Sequence, residues 1–220
     1  MANSFPRESI RGFAFDLDGL MFNTEDVFEI AGNILVERRG HTMPEDVRSA
    51  MMGRRAPDAF AILKDALSLD DSVDEMIVET KEIFYAHLDE KLQPMPGIFE
   101  ILDKLESLDI PKCVATSSYR DYLIDMLDRF ELKHRFVGLL SAEDVVDGKP
   151  NSEIYQKAAQ LLNIDAANML VLEDSQAGTE AGAGAGAIAV SVPNRHTSMQ
   201  DFSKATVVVE NLHDVVRMLG

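Results

Sequence analysis

Residues 13–26 read FAFDLDGLMFNTED: an apolar run that stops on two aspartates one residue apart, then a glycine, then more apolar residues. In an extended segment residues i and i+2 point the same way, so Asp16 and Asp18 present both carboxylates on one side of a strand end. Gly19 then permits a sharp turn. Two carboxylates so close repel, and one takes up a proton unless a cation sits between or beside them. An Asp-x-Asp-Gly run also opens calcium loops, but that template needs an oxygen ligand at its fifth position, glycine at its sixth and glutamate at its twelfth. Here those positions hold Leu20, Met21 and Val27, so the calcium reading fails.

Outward from this stretch, short β-branched or apolar runs alternate with helical segments over most of the chain, the signature of βαβ units and a parallel sheet. The pattern predicts strands near 12–16, 111–115, 136–140, 169–173, 187–192 and 206–209. It predicts helices over 97–108, 119–130, 152–163, 176–185 and 211–219. Residues 24–92 are the exception and contain no convincing strand. Val27, Ile30, Ala31, Ile34 and Leu35 fall at helical spacing before Gly40. Pro57 suits a helix start ahead of the apolar face of Ala59, Phe60, Leu63, Ala66 and Leu67. Asp71-Ser72 suits the cap of a long helix, and QPMPG at 93–97 reads as a hinge back into the sheet. The expected fold is therefore α/β: a Rossmann-like three-layer core with a parallel sheet, formed by residues 1–23 and 93–220, and a small all-α helical cap at 24–92.

The stretch AGTEAGAGAGAIAV (177–190) has the composition of a flexible linker, but it lies between two predicted strands. Small residues let a helix lie close against a sheet, although Gly182 and Gly184 each cost about 1 kcal/mol relative to alanine. A dinucleotide fingerprint is excluded, because Gly182, Gly184 and Gly186 come too late after the strand and at the wrong spacing.

The 220 residues suffice for one core with an appended subdomain, and 46% hydrophobic with 27% charged residues is the balance of an ordinary globular protein. A net charge of -17 argues against a nucleic-acid backbone or an anionic membrane surface as the main partner. It leaves room for a small anion bound at a local positive site made by a metal ion, a lysine or backbone amides. The single cysteine, Cys113, lies among apolar residues, so no disulfide framework exists and a reducing compartment is favoured. With no apolar signal core at the N-terminus and no apolar run of roughly 20 residues, the expectation is a cytoplasmic protein, and a monomer.

Three more features gather with the first. ATSS (115–118) follows the second strand with hydroxyls and free amides at a helix start, a ready setting for a phosphate oxygen. DGKP (147–150) places Lys149 just before a helix, and VLEDS (171–175) ends an apolar strand on Glu173 and Asp174. In an open parallel sheet, ligands bind outside the carboxyl ends of the strands, where all four features fall.

In this order the motifs resemble those of the haloacid dehalogenase-like (HAD) superfamily, in the phosphoglucomutase-like branch whose helical cap is inserted after the first motif. The resemblance spans nearly the whole chain. Asp16-Leu17-Asp18-Gly19 with Thr24-Glu25 match the first motif, Thr116-Ser117-Ser118 the second, Lys149-Pro150 the third and Glu173-Asp174-Ser175 the fourth. The resemblance implies a hydrolase of small phosphorylated metabolites in which Asp16 is the nucleophile that forms an aspartyl-phosphate. Asp18 is then the acid that protonates the leaving oxygen and the base that activates water. It also implies a Mg²⁺ held by the Asp16 carboxylate, the Asp18 backbone carbonyl and Asp174, with Glu173 touching the ion directly or through a neighbour. Thr116, Ser117, Ser118 and Lys149 fall to the phosphate oxygens. In the cap, Gly53 permits a turn toward the site, and Arg54 or Arg55 is the candidate to reach a substrate oxygen.

The chain departs from the family pattern at Asn23, where aspartate is usual, and at Asn151-Ser152 after Lys149-Pro150. It also carries Phe28 where β-phosphoglucomutases have a histidine, which favours a phosphatase over a sugar mutase. A dehalogenase fits the metal ligands and Asp18 less well. A phospho-aspartate switch, like a response-regulator receiver, shares the acids, metal, hydroxyl and lysine but lacks the inserted cap and the acid/base at Asp18.

Overall fold

The computed structural model describes residues 5–52 and 54–220. Six strands form one all-parallel sheet: β1 (Gly12–Phe15), β2 (Lys112–Ala115), β3 (Gly138–Leu140), β4 (Met169–Glu173), β5 (Ile188–Ser191) and β6 (Val207–Val208). Their order across the sheet is β3-β2-β1-β4-β5-β6. The order reverses between β1 and β4, so a crevice opens at their carboxyl ends. The register pairs Gly12 with Met169 and Phe15 with Leu172. Asp16 N–H extends the ladder by donating to the Leu172 carbonyl at 3.0 Å, which sets Asp16 beside Glu173.

Alternation along the strands builds the layers. Phe13, Phe15, Leu170 and Leu172 face one side, where α5 (Ile98–Ser107), α6 (Arg120–Asp128) and α9 (Leu212–Leu219) cover them. Ala14, Cys113, Ala115 and Val171 face the other, against α7 (Glu153–Leu161) and α8 (Gln176–Gly184). Each fully buried phenylalanine on the first face contributes about 2 kcal/mol. On the second, small residues let α7 and α8 come close; the stretch that resembles a linker is α8 and β5. Burial pushes the Cys113 thiol up to about 12, as suits an inert core residue.

Among the described residues, 24–92 hold no strand and four helices: α1 (Thr24–Glu37), α2 (Glu45–Met51), α3 (Ala56–Leu67) and α4 (Val73–Lys91). Leu35, Val36, Leu63, Leu69 and Met76 form a small core of their own, while Val27, Ala31, Phe84 and Leu88 continue into the main one. Ser72 caps α4 in a reciprocal box with Glu75, accepting the Glu75 N–H at 3.2 Å and donating from its own N–H at 2.9 Å. Asp71 turns instead to Arg39, whose guanidinium holds its carboxyl below the usual range. Helix α2 is not foreseen by the sequence pattern. Its seven residues, EDVRSAM, carry too few apolar positions to show a period.

Asn23 has a specific task where the two segments joining cap and core run side by side. Its amide donates to the Lys91 carbonyl at 3.1 Å and its side-chain oxygen accepts from Gln93 N–H at 2.6 Å. The Asn23 N–H also donates to the Gln93 carbonyl at 3.0 Å, and Met95 N–H to Met21 at 2.8 Å. An aspartate at 23 would keep the acceptor but lose the donor to Lys91.

Candidate active site

Three carboxylates meet where β1 and β4 end. Asp16, Glu173 and Asp174 are all buried, and ligand oxygens of the three lie within 4.8 Å of one another. Lys149, entering from the loop before α7, places its ammonium 2.5 Å from Asp16 Oδ1, 2.5 Å from Glu173 Oε1 and 3.0 Å from the Ala115 carbonyl. The third motif is thereby tied to the first, second and fourth. Burial disfavours the Lys149 charge, but the carboxylates of Asp16 and Glu173 hold its pKa above the ordinary lysine value.

Glu173 is a fixed prop for this lysine. Besides Lys149, its Oε1 accepts from the Tyr155 hydroxyl, and its Oε2 accepts from Ser175 Oγ at 3.2 Å. With both oxygens engaged, Glu173 is better placed to orient Lys149 than to turn toward an ion. Burial, Asp16 and Glu173 push the Asp174 carboxyl well above its usual range, and one of its oxygens accepts from Asn194 at 2.8 Å. The Asp16 carboxyl is likewise raised, by burial first and by the charges of Glu173 and Asp18, with Lys149 opposing. Three buried carboxylates against one ammonium leave negative charge for a cation to offset, and an all-oxygen set suits a hard divalent ion.

Asp18 stands apart, outside the trio of carboxylates. Its Oδ1 accepts from Thr24 Oγ1 and from the Tyr122 hydroxyl, both at 2.7 Å, and its Oδ2 accepts from Ser118 Oγ at 2.6 Å. Hydroxyls accept as well as donate, so the same three partners serve the carboxylate and the acid. The turn that follows Asp18 uses Gly19 at φ +75°, and a Cβ there would meet Asp174 Oδ2 at 2.3 Å. Glycine is required both by the backbone and by the approach of Asp174.

The remaining candidates divide. Thr116 is buried and accepts the Ser118 N–H on its hydroxyl at 3.1 Å, making a tight turn around Ser117. Ser118, expected on the phosphate, is spent on Asp18 in this structure. Gly53 lies outside the described residues, as do Met1–Ser4. Arg54 is exposed and folds back to the Ala50 carbonyl at 2.8 Å, whereas Arg55 reaches across to the core and donates to Val146 O at 3.1 Å, in the loop that leads to Lys149. Of the pair, Arg55 bridges toward the site. Tyr122, Tyr155 and Asn194 are not flagged by the sequence. The tyrosines lie inside helices with no distinguishing spacing. Asn194 follows β5 at a carboxyl strand end, and that position is the one signal that points to it.

A family model described as haloacid dehalogenase-like hydrolase matches residues 13–192. The chain belongs to this family. This HAD-like chain is 31% identical over 172 residues to a phosphorylated carbohydrates phosphatase of Thermotoga maritima, covering 78% of the chain and 80% of the relative. It is 31% identical over 203 residues to a validoxylamine A 7′-phosphate phosphatase of Streptomyces hygroscopicus subsp. limoneus, covering 91% and 93%. Among solved structures, CbbY from Rhodobacter sphaeroides in complex with phosphate superposes with a TM-score of 0.82 at 21% identity, over 96% of the chain and 99% of CbbY. That likeness concerns the HAD fold. Among the described residues of the HAD-like chain, no helix is long and apolar enough to cross a membrane.

Proposed function

We propose that the chain is a Mg²⁺-dependent phosphatase of small phosphomonoesters, sugar phosphates or nucleotide-type monoesters, working through an aspartyl-phosphate on Asp16. The observation that carries this reading is the pairing of Asp16 with Lys149 next to Asp174, while Asp18, two residues on, is held separately by three hydroxyls. This separation supports a reading in which Asp16 attacks and Asp18 moves a proton.

In the first half-reaction an Asp16 oxygen forms a bond to phosphorus as the ester P–O bond breaks. The departing electron pair goes to the ester oxygen, which takes the Asp18 proton and leaves as an alcohol. In the second, the Asp18 carboxylate removes a proton from water as its oxygen bonds to phosphorus, and the Asp16–phosphorus bond breaks to restore the carboxylate and release phosphate. Lys149, Thr116 and the Ser117 amide hold the non-bridging oxygens. The Asp16 and Asp174 carboxylates and the Asp18 backbone carbonyl would hold a Mg²⁺, which would supply positive charge against those oxygens. Local positive groups of this kind let a chain of net charge -17 accept an anion.

The helical block at 24–92 is proposed to act as a cap that sets substrate choice, with Arg55 and Arg54 at its edge. Phe28 supports hydrolysis over mutase chemistry, since its ring stacks on Phe84 at 4.3 Å and carries no group to exchange a proton. The test is phosphate release from p-nitrophenyl phosphate and from a panel of phosphorylated metabolites with Mg²⁺. Activity is expected in the parent protein and lost in Asp16→Ala; unaltered turnover in that variant would sink the mechanism.

A further inference from the structure

We infer that Tyr122 is a positioning residue for Asp18, held in place by two aromatic rings of the helical block between β1 and β2. Its hydroxyl donates to Asp18 Oδ1 at 2.7 Å across 104 positions of sequence. Its ring lies 6.2 Å from Phe28 of α1 and 5.8 Å from Phe84 of α4, centroid to centroid, and those two rings stack on each other at 4.3 Å.

Thr24 and Ser118 also reach Asp18, but they anchor it from short side chains. Tyr122 differs in kind. A tyrosine has two side-chain torsions, and tilted contacts with the stacked Phe28 and Phe84 rings on one side restrict where its oxygen stands. The hydroxyl therefore transmits the placement of Phe28 and Phe84 to the Asp18 carboxyl. A general acid must come within about 2.6–3.2 Å of the oxygen it protonates. Loss of one of three holding contacts lets the carboxyl swing without disturbing Asp16, Lys149 or Asp174.

This inference rests on the reading of Asp18 as the acid of the first half-reaction, and leaving groups separate the two claims. An alkyl ester must be protonated as its P–O bond breaks, whereas p-nitrophenolate departs as an anion. Because kcat/KM covers only steps through the first irreversible one, the later use of Asp18 as base does not enter it. The experiment compares kcat/KM for the best alkyl phosphomonoester of the panel and for p-nitrophenyl phosphate in the parent, Tyr122→Phe, Asp18→Asn and Tyr85→Phe. Tyr85 packs on Phe84 at 5.6 Å in the same cluster and tests general loosening.

Tyr122→Phe keeps the ring, and it is expected to lower the alkyl-to-aryl ratio about tenfold, as the loss of one neutral hydrogen bond to the Asp18 carboxyl suggests. Tyr85→Phe leaves the ratio at the parent value, and Asp18→Asn lowers it further than Tyr122→Phe. If Asp18→Asn lowers the ratio and Tyr122→Phe does not, the role of Tyr122 is overturned while the mechanism stands. If Tyr85→Phe matches Tyr122→Phe, the effect belongs to packing and the role is likewise overturned. If Asp18→Asn slows both substrates equally, the acid role of Asp18 fails, and the inference with it.

Discussion

The ammonium of Lys149 lies 2.5 Å from Asp16 Oδ1, with 2% and 9% of the two side chains exposed. A pair this buried is strongly destabilised when one partner is removed, because the other is left charged and unpaired, at about 3–5 kcal/mol. Lys149→Met removes the ammonium that both Asp16 and Glu173 face. The lower end of the range is expected, since Asp16 with its raised pKa can take up a proton instead. Urea unfolding at neutral pH in EDTA should show a loss of about 3 kcal/mol, part of it restored by adding Glu173→Gln. An unfolding midpoint equal to that of the parent would mean that the pair is not what keeps the two acids buried.

Asp16 and Asp174 give a second, activity-independent readout. A cation that binds the folded state alone stabilises it by RT ln(1 + [L]/Kd), about 2.7 kcal/mol at a hundredfold excess over Kd. Mg²⁺ should therefore raise the thermal midpoint of the parent and EDTA should reverse the rise. Asp174→Asn halves the charge of the two proposed ligands and should show little or no shift. An equal Mg²⁺ shift in that variant argues that the ion binds elsewhere.

These two predictions draw on residues that the sequence makes visible, and the reason is physical. Asp16, Lys149, Glu173 and Asp174 sit where apolar strands or loops end, so a charge interrupts a periodic pattern and stands out. All six strands are legible for the same reason, down to β6 with two residues. Tyr122 and Tyr155 occupy positions where a helix face needs bulk in any case, and their hydroxyls act on partners 104 and 18 residues away. No local period records such a contact. Arg54 and Arg55 show the same limit: adjacent and chemically equal, they part only when the chain folds, one toward its own segment and the other toward Val146.

Gly178 tests how tightly Glu173 is held. A Cβ at this position in α8 would stand 1.9 Å from the Glu173 carboxyl carbon and from Oε1. Alanine in a helix interior is ordinarily favoured over glycine by about 1 kcal/mol, so a free surface position would gain. Here the Glu173 carboxyl cannot retreat without releasing Lys149, Tyr155 and Ser175. Gly178→Ala should lose stability and most phosphatase activity, and Gly178→Ala with Glu173→Ala should unfold at higher urea than Gly178→Ala alone. If the single variant is as stable as the parent, or more so, Glu173 has room that the geometry denies it.

Glu25 predicts a pH dependence of stability with a definite sign. Half-buried in the first turn of α1, its carboxyl is pushed up to about 8 by burial and by the charges of Asp18 and Asp26, with Arg48 opposing. The unfolded chain releases this proton near 4.5, while the folded chain keeps it until about 8. Between those values the folded state binds the extra proton, so each rise in pH favours unfolding, and the contribution is fully lost above about 8. Glu25→Gln keeps the shape and cannot ionise. Urea midpoints in EDTA at three pH values across this window should therefore show the glutamine variant gaining on the parent as pH rises, with little difference at the acidic end. Mg²⁺ partly offsets the neighbouring acids and should shrink the gain at the alkaline end. A difference between parent and variant that stays constant with pH would show that Glu25 ionises as it does in water.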